Sequence, residues 1–417
     1  MKETVSNNCQ SVDAMVLQEA LHLLSYQFRI LPTKLEIESV IILSEPCRRN
    51  LVLRIILTNP SNELHSAPKS IILQQSLTEE SCEDDKEALR RFVRDWAGLE
   101  FLSNLETQIP IAPKFYGGSI KYRFILIEDL GHIHTSLVDA LMGVDRGAAK
   151  KALNRYVKAM STLHGNAINI YRNYQAIVRK LSSTMLICEG DLDNTLIKIS
   201  PLLEKFNIPL SADLKNEITL VLNLAKKPGS FTTLTHGDIC PDNVFDYPAQ
   251  NKMYIIDFEF SFIGNALLDA VALRMCMPTC WCAKAFPEEI IESFEQMYRE
   301  ELKKYIPAAD DDIVYYEYYT AACAYWMLWL VASLDDILET EVDMEDLMFS
   351  PHPAWKPEYN LRRPRSIYRF KAFITTSKKN DLFPCLILMA EAILKKLEEY
   401  WPNVKPLELY PAFNKNM

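Results

Sequence analysis

The sequence predicts an α+β protein, with a small sheet-plus-helix N-terminal part and a larger, mainly helical C-terminal part. Three observations carry this. Short β-branched apolar runs recur between Ser39 and Ile127. From Ala148 onward, apolar residues recur mostly at helical spacing. A compact run of strands and turns, Leu234 to Glu259, interrupts those helices and contains an acid-rich pattern. At 417 residues and 49% apolar, the chain is long enough for two separate cores.

Val12 to Ile30 places Val16, Leu17, Ala20, Leu21, Leu24 and Phe28 on one helical face, with Asp13 favouring its N-terminal end. Ser39–Leu43 and Leu51–Leu57 read as strands joined by the turn-like Ser44 to Asn50, a first hairpin without glycine. Asn59 to Lys69 is a polar, proline-bearing insertion, and Ile71 to Gln75 is a third strand. Glu79 to Glu87 reads as an acidic loop, and Ala88 to Leu105 as a helix carrying Phe92, Trp96, Leu99 and Leu102. Ile109 to Tyr116, with Pro110 and Pro113, is a loop leading to a strand at Tyr122 to Ile127. Glu128-Asp129-Leu130-Gly131 ends that strand.

In the C-terminal part, Ser136–Leu141 and Ala148–His164 read as helices. Tyr171 to Lys227 is helical, with breaks near Glu189-Gly190-Asp191 and Pro209. Glu288–Tyr305 and Ile313–Leu338 are long helices, Pro351 to Arg365 a proline-rich linker, and Ser366–Phe373 and Leu382–Tyr400 closing helices. Tyr318 to Leu334 is uncharged, but Glu317 and Asp335-Asp336 flank it and no basic loop orients it. A buried helix is therefore expected rather than a membrane span.

The most informative stretch is Leu234 to Phe245, followed by Lys252 to Glu259. It reads as strand, tight loop, strand, turn, strand, with Asp238, Asn243 and Asp257 on one edge of a small hairpin. This layout suits phosphoryl transfer. A carboxylate at Asp238 can accept the proton of an attacking hydroxyl. The amide oxygen of Asn243 and the carboxylate of Asp257 can hold magnesium, which keeps hard oxygen ligands and offsets charge on nucleotide phosphates.

His236-Gly237-Asp238, four residues, Asn243, and then Ile256-Asp257-Phe258-Glu259 together resemble the aminoglycoside phosphotransferase and choline kinase-like family, whose fold is that of protein kinases. The resemblance runs over roughly Ser39 to Cys282. It implies an N-lobe over 1–130, with a hinge at its end, and a helical C-lobe over 131–417 that holds the catalytic hairpin at 234–260. It also implies ATP and Mg2+ as cofactors. Asp238 is the expected catalytic residue, and Asn243 and Asp257 are the expected metal ligands.

The same resemblance places the first hairpin over the nucleotide phosphates. Ser44 and the Arg48-Arg49 pair become candidate phosphate contacts there, the arginines also reading as a solvated turn. Backbone groups of Ile127, Glu128, Asp129 and Leu130 are expected to meet adenine. The family's third strand carries a phosphate-pairing lysine, and here that position falls on Gln74, or on Gln75. Neither is charged, and Lys69 is the nearest lysine before the strand. Asp95 or Glu100 matches the acid that pairs with that lysine. Asp269 matches an acid that braces the catalytic loop. His236 is expected to hold that loop in shape, and His164, at a matching helix end, has a structural role. Met277 to Ala283 resembles a bacterial branch of the family of unassigned substrate. Its Cys280-Trp281-Cys282 lacks the second pair of ligands that zinc needs, and reads as a packed loop.

The expected function is ATP- and Mg-dependent phosphoryl transfer to a hydroxyl of a small molecule. Antibiotic, choline-like, sugar and amino-alcohol acceptors remain open. Gln74 motivates an alternative, a nucleotide-binding pseudokinase serving as an interaction module; nucleotidyl transfer is a third option. The net charge of −10 and the absence of a basic stripe argue against nucleic acid as a partner. The acidic run Asp335, Asp336, Glu339, Glu341, Asp343, Glu345 and Asp346 is compatible with a cationic substrate or with an ordinary acidic helix end. Ten scattered cysteines without a disulfide framework, and no signal-peptide core in Met1 to Gln10, fit a reducing, cytoplasmic setting without a membrane partner.

Overall fold

The computed structural model describes residues 12–45, 49–58, 68–78, 82–105, 110–182, 192–281, 283–340, 342–343 and 353–414. Arg48, Cys282, Glu341, Glu345 and Asp346, and most of the insertion at 59–69, lie outside them. In chain order the first elements are α1 (Ala14–Phe28), β1 (Glu36–Ile42), β2 (Asn50–Thr58), β3 (Ser70–Ser76), α2 (Cys82–Ser103), β4 (Phe115–Ser119) and β5 (Phe124–Glu128). Next come β6 (Thr135–Ser136), α3 (Leu137–Met142), α4 (Arg146–Ala167), α5 (Tyr171–Leu181), α6 (Leu192–Lys205) and α7 (Ala212–Lys226). Then follow β7 (Thr232–Thr235), β8 (Val244–Tyr247), β9 (Lys252–Ile255), β10 (Phe262–Asn265) and α8 (Leu267–Ala270). The chain closes with α9 (Glu288–Lys303), α10 (Asp312–Ala332), α11 (Leu334–Glu339), α12 (Arg362–Asn380) and α13 (Pro384–Tyr400). The α+β class expected from the sequence is the class observed.

Contacts group the chain into two compact units. The first comprises residues 1–132, 174–185 and 257–259, and the second the remainder. The core of the first unit is an antiparallel five-stranded sheet in the order β1-β2-β3-β5-β4. Its inner face follows from strict alternation: Leu51, Leu53, Ile55 and Leu57 on β2, and Ile71 and Leu73 on β3, are buried. Val16, Ala20 and Leu24 of α1 join that core. α1 begins where Asp13 accepts a hydrogen bond from the Met15 N–H at 2.8 Å. On the other face, the Trp96 ring of α2 lies 5.5 Å from that of Phe115 on β4. Close packing fixes this helix: a Cβ added at Gly98 would stand 2.7 Å from the Phe258 Cβ.

Two details differ from expectation. Residues 82–87 are helical rather than loop, so α2 starts a turn and a half early. β4 falls partly inside the segment expected to be loop, because Gly117 and Gly118 erase the alternation that marks a strand.

The second unit is mainly helical. α10 buries most of its circumference from Tyr319 onward, including Thr320, Ala321, Ala322, Cys323, Ala324, Trp326, Met327 and Leu328, which accounts for the uncharged run that begins at Tyr318. Among the described residues, no helix is long and apolar enough to cross a membrane. The strands at 232–265 enter two small sheets: β8 and β9 join β6 in the order β6-β8-β9, and β10 pairs with β7. The single hairpin drawn from the sequence is thus only β8–β9. β7 pairs instead with β10, Thr235 opposite Phe262. A strand's partner across an intervening hairpin is not marked in the local sequence.

Candidate functional site

The loop between β7 and β8 carries Asp238 and Asn243. Its second residue is Gly237, whose φ of +78° suits glycine and where an added Cβ would stand 2.4 Å from the Phe260 carbonyl oxygen. Within the loop, the Cys240 N–H donates to the Asp238 carbonyl at 2.8 Å, and the Asn243 N–H to the Cys240 carbonyl at 3.0 Å. From outside, the buried Tyr156 hydroxyl of α4 donates to the Ile239 carbonyl at 2.6 Å. Ser136 donates to the Pro241 carbonyl at 2.9 Å.

Asp269, on α8, sits beneath the loop. Its Oδ2 accepts the His236 N–H at 2.7 Å and its Oδ1 the Gly237 N–H at 3.1 Å. His164 Nε2 is 3.0 Å from Oδ2 of Asp269, and His164 Nδ1 is 2.7 Å from the Tyr298 hydroxyl. Both histidine and aspartate are buried. Burial pushes the Asp269 carboxyl up, but the His164 hydrogen bond, the electrostatic pull of the His164 and His236 rings and the His236 N–H outweigh it and hold it below the usual carboxylate value. His236 Nε2 donates to the Ile256 carbonyl at 2.9 Å, and its Nδ1 receives the Asp238 N–H at 3.3 Å, so the proton sits on Nε2.

The structure brings Asp238 and Asn243 together. Asn243 Nδ2 lies 3.2 Å from Asp238 Oδ2 and 2.9 Å from the Asp238 carbonyl. Because its nitrogen faces Asp238, Asn243 keeps its oxygen, Oδ1, as the remaining ligand group. The Ile256 N–H donates to the Asn243 carbonyl at 2.9 Å. The next residue, Asp257, has a φ of 66°, a left-handed conformation uncommon for a residue other than glycine. These are hard oxygen donors of the kind magnesium takes. Among the described residues, no group of three or more His, Cys, Asp or Glu could hold a metal on its own.

In the first unit, Gln74 points from β3 to α2, where its Nε2 donates to Asp95 Oδ2 at 3.0 Å. Gln75 turns the other way, to the Tyr122 carbonyl at 3.0 Å. Glu100 instead accepts from the Trp96 indole at 2.6 Å. Lys69 is exposed rather than inward-facing. Asp95 Oδ1 accepts the Phe258 N–H at 2.9 Å. Burial, with the negative charge of Glu259 adding to it, pushes the Asp95 carboxyl up to about 7 against the Phe258 hydrogen bond. Glu259 is itself held by Arg49, at 3.2 Å, and by Arg91, at 3.8 Å. Gln74, Asp95, Arg91 and Glu259, with Asn50 and Ser76, line one small polar recess.

Ser44 accepts the Val52 N–H on its hydroxyl at 3.1 Å, closing the first hairpin. Ile127 is a buried β5 residue paired with Ile72, and Glu128 accepts the Lys114 N–H at 3.1 Å. Asp129 takes a two-pronged ion pair from Arg54, at 2.7 and 3.0 Å, and the Gly131 N–H at 2.9 Å. Leu130 follows directly.

Several participants are not signalled by the sequence pattern: Arg91, which meets Glu259 beside Gln74, Tyr156 beneath the loop, and Cys240, whose thiol donates to Asp238 Oδ1 at 3.0 Å. Of the described acids of the 335–346 run, Asp335 pairs with Lys205 at 3.3 Å and Asp343 accepts the Arg363 N–H at 2.7 Å. A cavity of 370 Å³ lined by Phe206, Ile208, Leu214, Leu388, Met389 and Lys395, among others, contains none of the residues above.

Among curated proteins, no sequence matches the chain. Among solved structures, an ethanolamine kinase of Plasmodium vivax is similar at a TM-score of 0.43 and 15% identity, over 89% of this chain and 92% of that one. The choline kinase LicA of Streptococcus pneumoniae is similar at 0.40 and 16%, over 87% and 100%. The GDP complex of an aminoglycoside 2'-phosphotransferase-IIIa is similar at 0.41 and 14%, over 87% and 98%. A sequence model of the phosphotransferase enzyme family matches residues 99–305, a stretch that includes the Asp238 loop, Asp257 and Asp269. Over that stretch, just under half of its length, the chain is similar to the phosphotransferase enzyme family.

Proposed function

We propose that the protein transfers the terminal phosphoryl group of ATP, with magnesium, to a hydroxyl of a small molecule. Asp238 receives the acceptor's proton as the acceptor oxygen bonds to phosphorus and the bond to the ADP oxygen breaks. Asn243 Oδ1 and the Asp257 carboxylate are the ligands for the divalent ion, which when bound offsets negative charge on the phosphates. Gln74, Ser44 and the backbone of residues 127–130 face the nucleotide. His236 and Asp269 keep the loop in shape, so that positioning is in place before substrate arrives.

The observation that carries this is the pairing of Asp238 with Asn243 on a loop whose first two N–H groups are tied to one buried carboxylate. The family match over the same residues supports it. An Asp238→Asn variant keeps the shape of the side chain and loses the proton acceptor. Its turnover is expected to vanish while ATP with magnesium still raises the melting temperature. Wild-type turnover in that variant would refute the assignment.

A further inference from the structure

The two carboxylate oxygens of Asp238 have different partners. Oδ2 faces the Asn243 amide at 3.2 Å, and Oδ1 accepts the Cys240 thiol at 3.0 Å. The Cys240 sulfur also lies 3.6 Å from the Thr279 hydroxyl. Burial above all, with the Cys280 thiol and the Asp238 charge, pushes the Cys240 thiol well up, so it carries the proton it donates. A thiol is a weak donor, but a carboxylate acceptor makes the bond charge-assisted. A Thr279 O–H directed at the sulfur polarises it further.

The segment bearing Thr279 is held at some cost. Cys276 and Met277, neither of them glycine, adopt φ values of 54° and 44° in succession. Arg369 donates to the carbonyls of Met275, Cys276 and Met277 at 3.0 to 3.1 Å, and Arg365 to the Cys280 carbonyl at 2.7 Å. Both arginines are buried, one turn apart on α12. Two buried cations and a strained backbone thus set Thr279 and Cys280 against Cys240. This gives the Met277 to Ala283 stretch, which the catalytic assignment leaves unused, a physical purpose.

We propose that Cys240 is a positioning residue for phosphoryl transfer: its thiol, backed by Thr279, fixes the orientation of the Asp238 carboxylate toward the acceptor. This rests on Asp238 being the proton acceptor. Cys240 touches no reacting atom and acts only through Asp238.

Magnesium-dependent ATP hydrolysis, with water as the acceptor, reads the effect without a known substrate. Cys240→Val removes the donor and adds one methyl group to the site. It is expected to lower kcat roughly tenfold, with KM for ATP unchanged, as for an interaction that acts on the chemical step alone. Cys240→Ser restores a donor and is expected to recover most of that loss. Thr279→Val is expected to fall between wild type and Cys240→Val. A Cys240→Val variant with wild-type kcat overturns the proposal, as does a Cys240→Ser variant no better than Cys240→Val, which would mean packing alone. Asp238→Asn run alongside separates the two levels. If it is inactive while Cys240→Val is normal, only the role of Cys240 falls. If it is active, the Asp238 assignment falls and takes this one with it. Independently of turnover, the infrared S–H stretch lost in Cys240→Val is expected to lie lower in the wild type than in Asp238→Ala. An unchanged frequency means that there is no such hydrogen bond and overturns the proposal.

Discussion

Gln74 Nε2 donates to Asp95 Oδ2 at 3.0 Å, so a neutral amide occupies the place beside that acid. The carboxylate meets a hydrogen bond there but no charge, and the cations nearby, Arg49 and Arg91, are turned to Glu259. Gln74→Lys would give Asp95 a charged partner and bring a cation into the recess. If this strand position faces the nucleotide phosphates, the variant is expected to bind ATP with magnesium about tenfold more tightly, from one added charge-assisted contact. Turnover should rise with it. Isothermal titration and an ADP-release assay measure both. Unchanged affinity would mean that Gln74 does not face the phosphates.

The same pair predicts a pH-dependent stability. The Asp95 carboxyl titrates near 7 in the fold, and near 4 when unfolded. Between those values, the folded protein holds a proton that the unfolded chain has released. The contribution of Asp95 to stability is therefore fully present below about 4 and is lost as pH rises through about 7. Asp95→Asn cannot ionise. Its Oδ1 can keep the Phe258 N–H, while Gln74 turns its oxygen to the new amide. The variant is expected to melt higher than wild type at pH 8, with the gap shrinking at pH 5. A gap equal at both pH values would show that Asp95 is not perturbed.

Asp269 predicts the opposite sign. Its carboxyl is held below the ordinary value, so its stabilisation is present above the usual carboxylate range and is lost as pH falls through the depressed value. Asp269→Ala leaves three donors, the buried His236 N–H and His164 ring and the part-buried Gly237 N–H, without their acceptor. The expected cost is about 3–5 kcal/mol in urea unfolding. Asp269→Asn keeps one acceptor oxygen and should lose less. A loss under about 1 kcal/mol in the alanine variant, the scale of a surface ion pair, would mean that the frame does not depend on it.

What the sequence makes legible follows the distance between partners in the chain. Asp238 and Asn243 are close in the chain, and one tight loop suffices to join them. Alternation on β2 and the helical stripe on α1 are local as well, and they place Leu53, Ile55 and Leu24 in one core. The pairing of His164 with Asp269 spans 105 positions, and that of Arg49 with Glu259 spans 210. No period or propensity encodes such partners. Cys240 is hidden for another reason: as a small, buried residue in a loop, it looks like packing until its thiol is seen to face a carboxylate.

Gly237 offers the sharpest test of the loop's geometry. Its φ of +78° lies in the left-handed region, and a Cβ there would meet the Phe260 carbonyl oxygen at 2.4 Å, well inside contact distance. Phe260 lies two residues before β10 and Gly237 two residues after β7, and β10 pairs with β7, so a shift on either side pulls on that ladder. Gly237→Ala must therefore shift the loop or strain it, at about 1–3 kcal/mol for the backbone conformation alone. The Gly237 N–H, which donates to Asp269, and Asp238, the next residue, move with it. Activity is expected to fall at least a hundredfold, through kcat, because small displacements of positioned groups carry large costs in rate. The drop in melting temperature should stay modest by comparison, since the core residues of both units are untouched. An alanine variant with near-normal kcat would show that the chemistry tolerates a displaced Asp238, and the loop geometry would then lose its claim to set the rate.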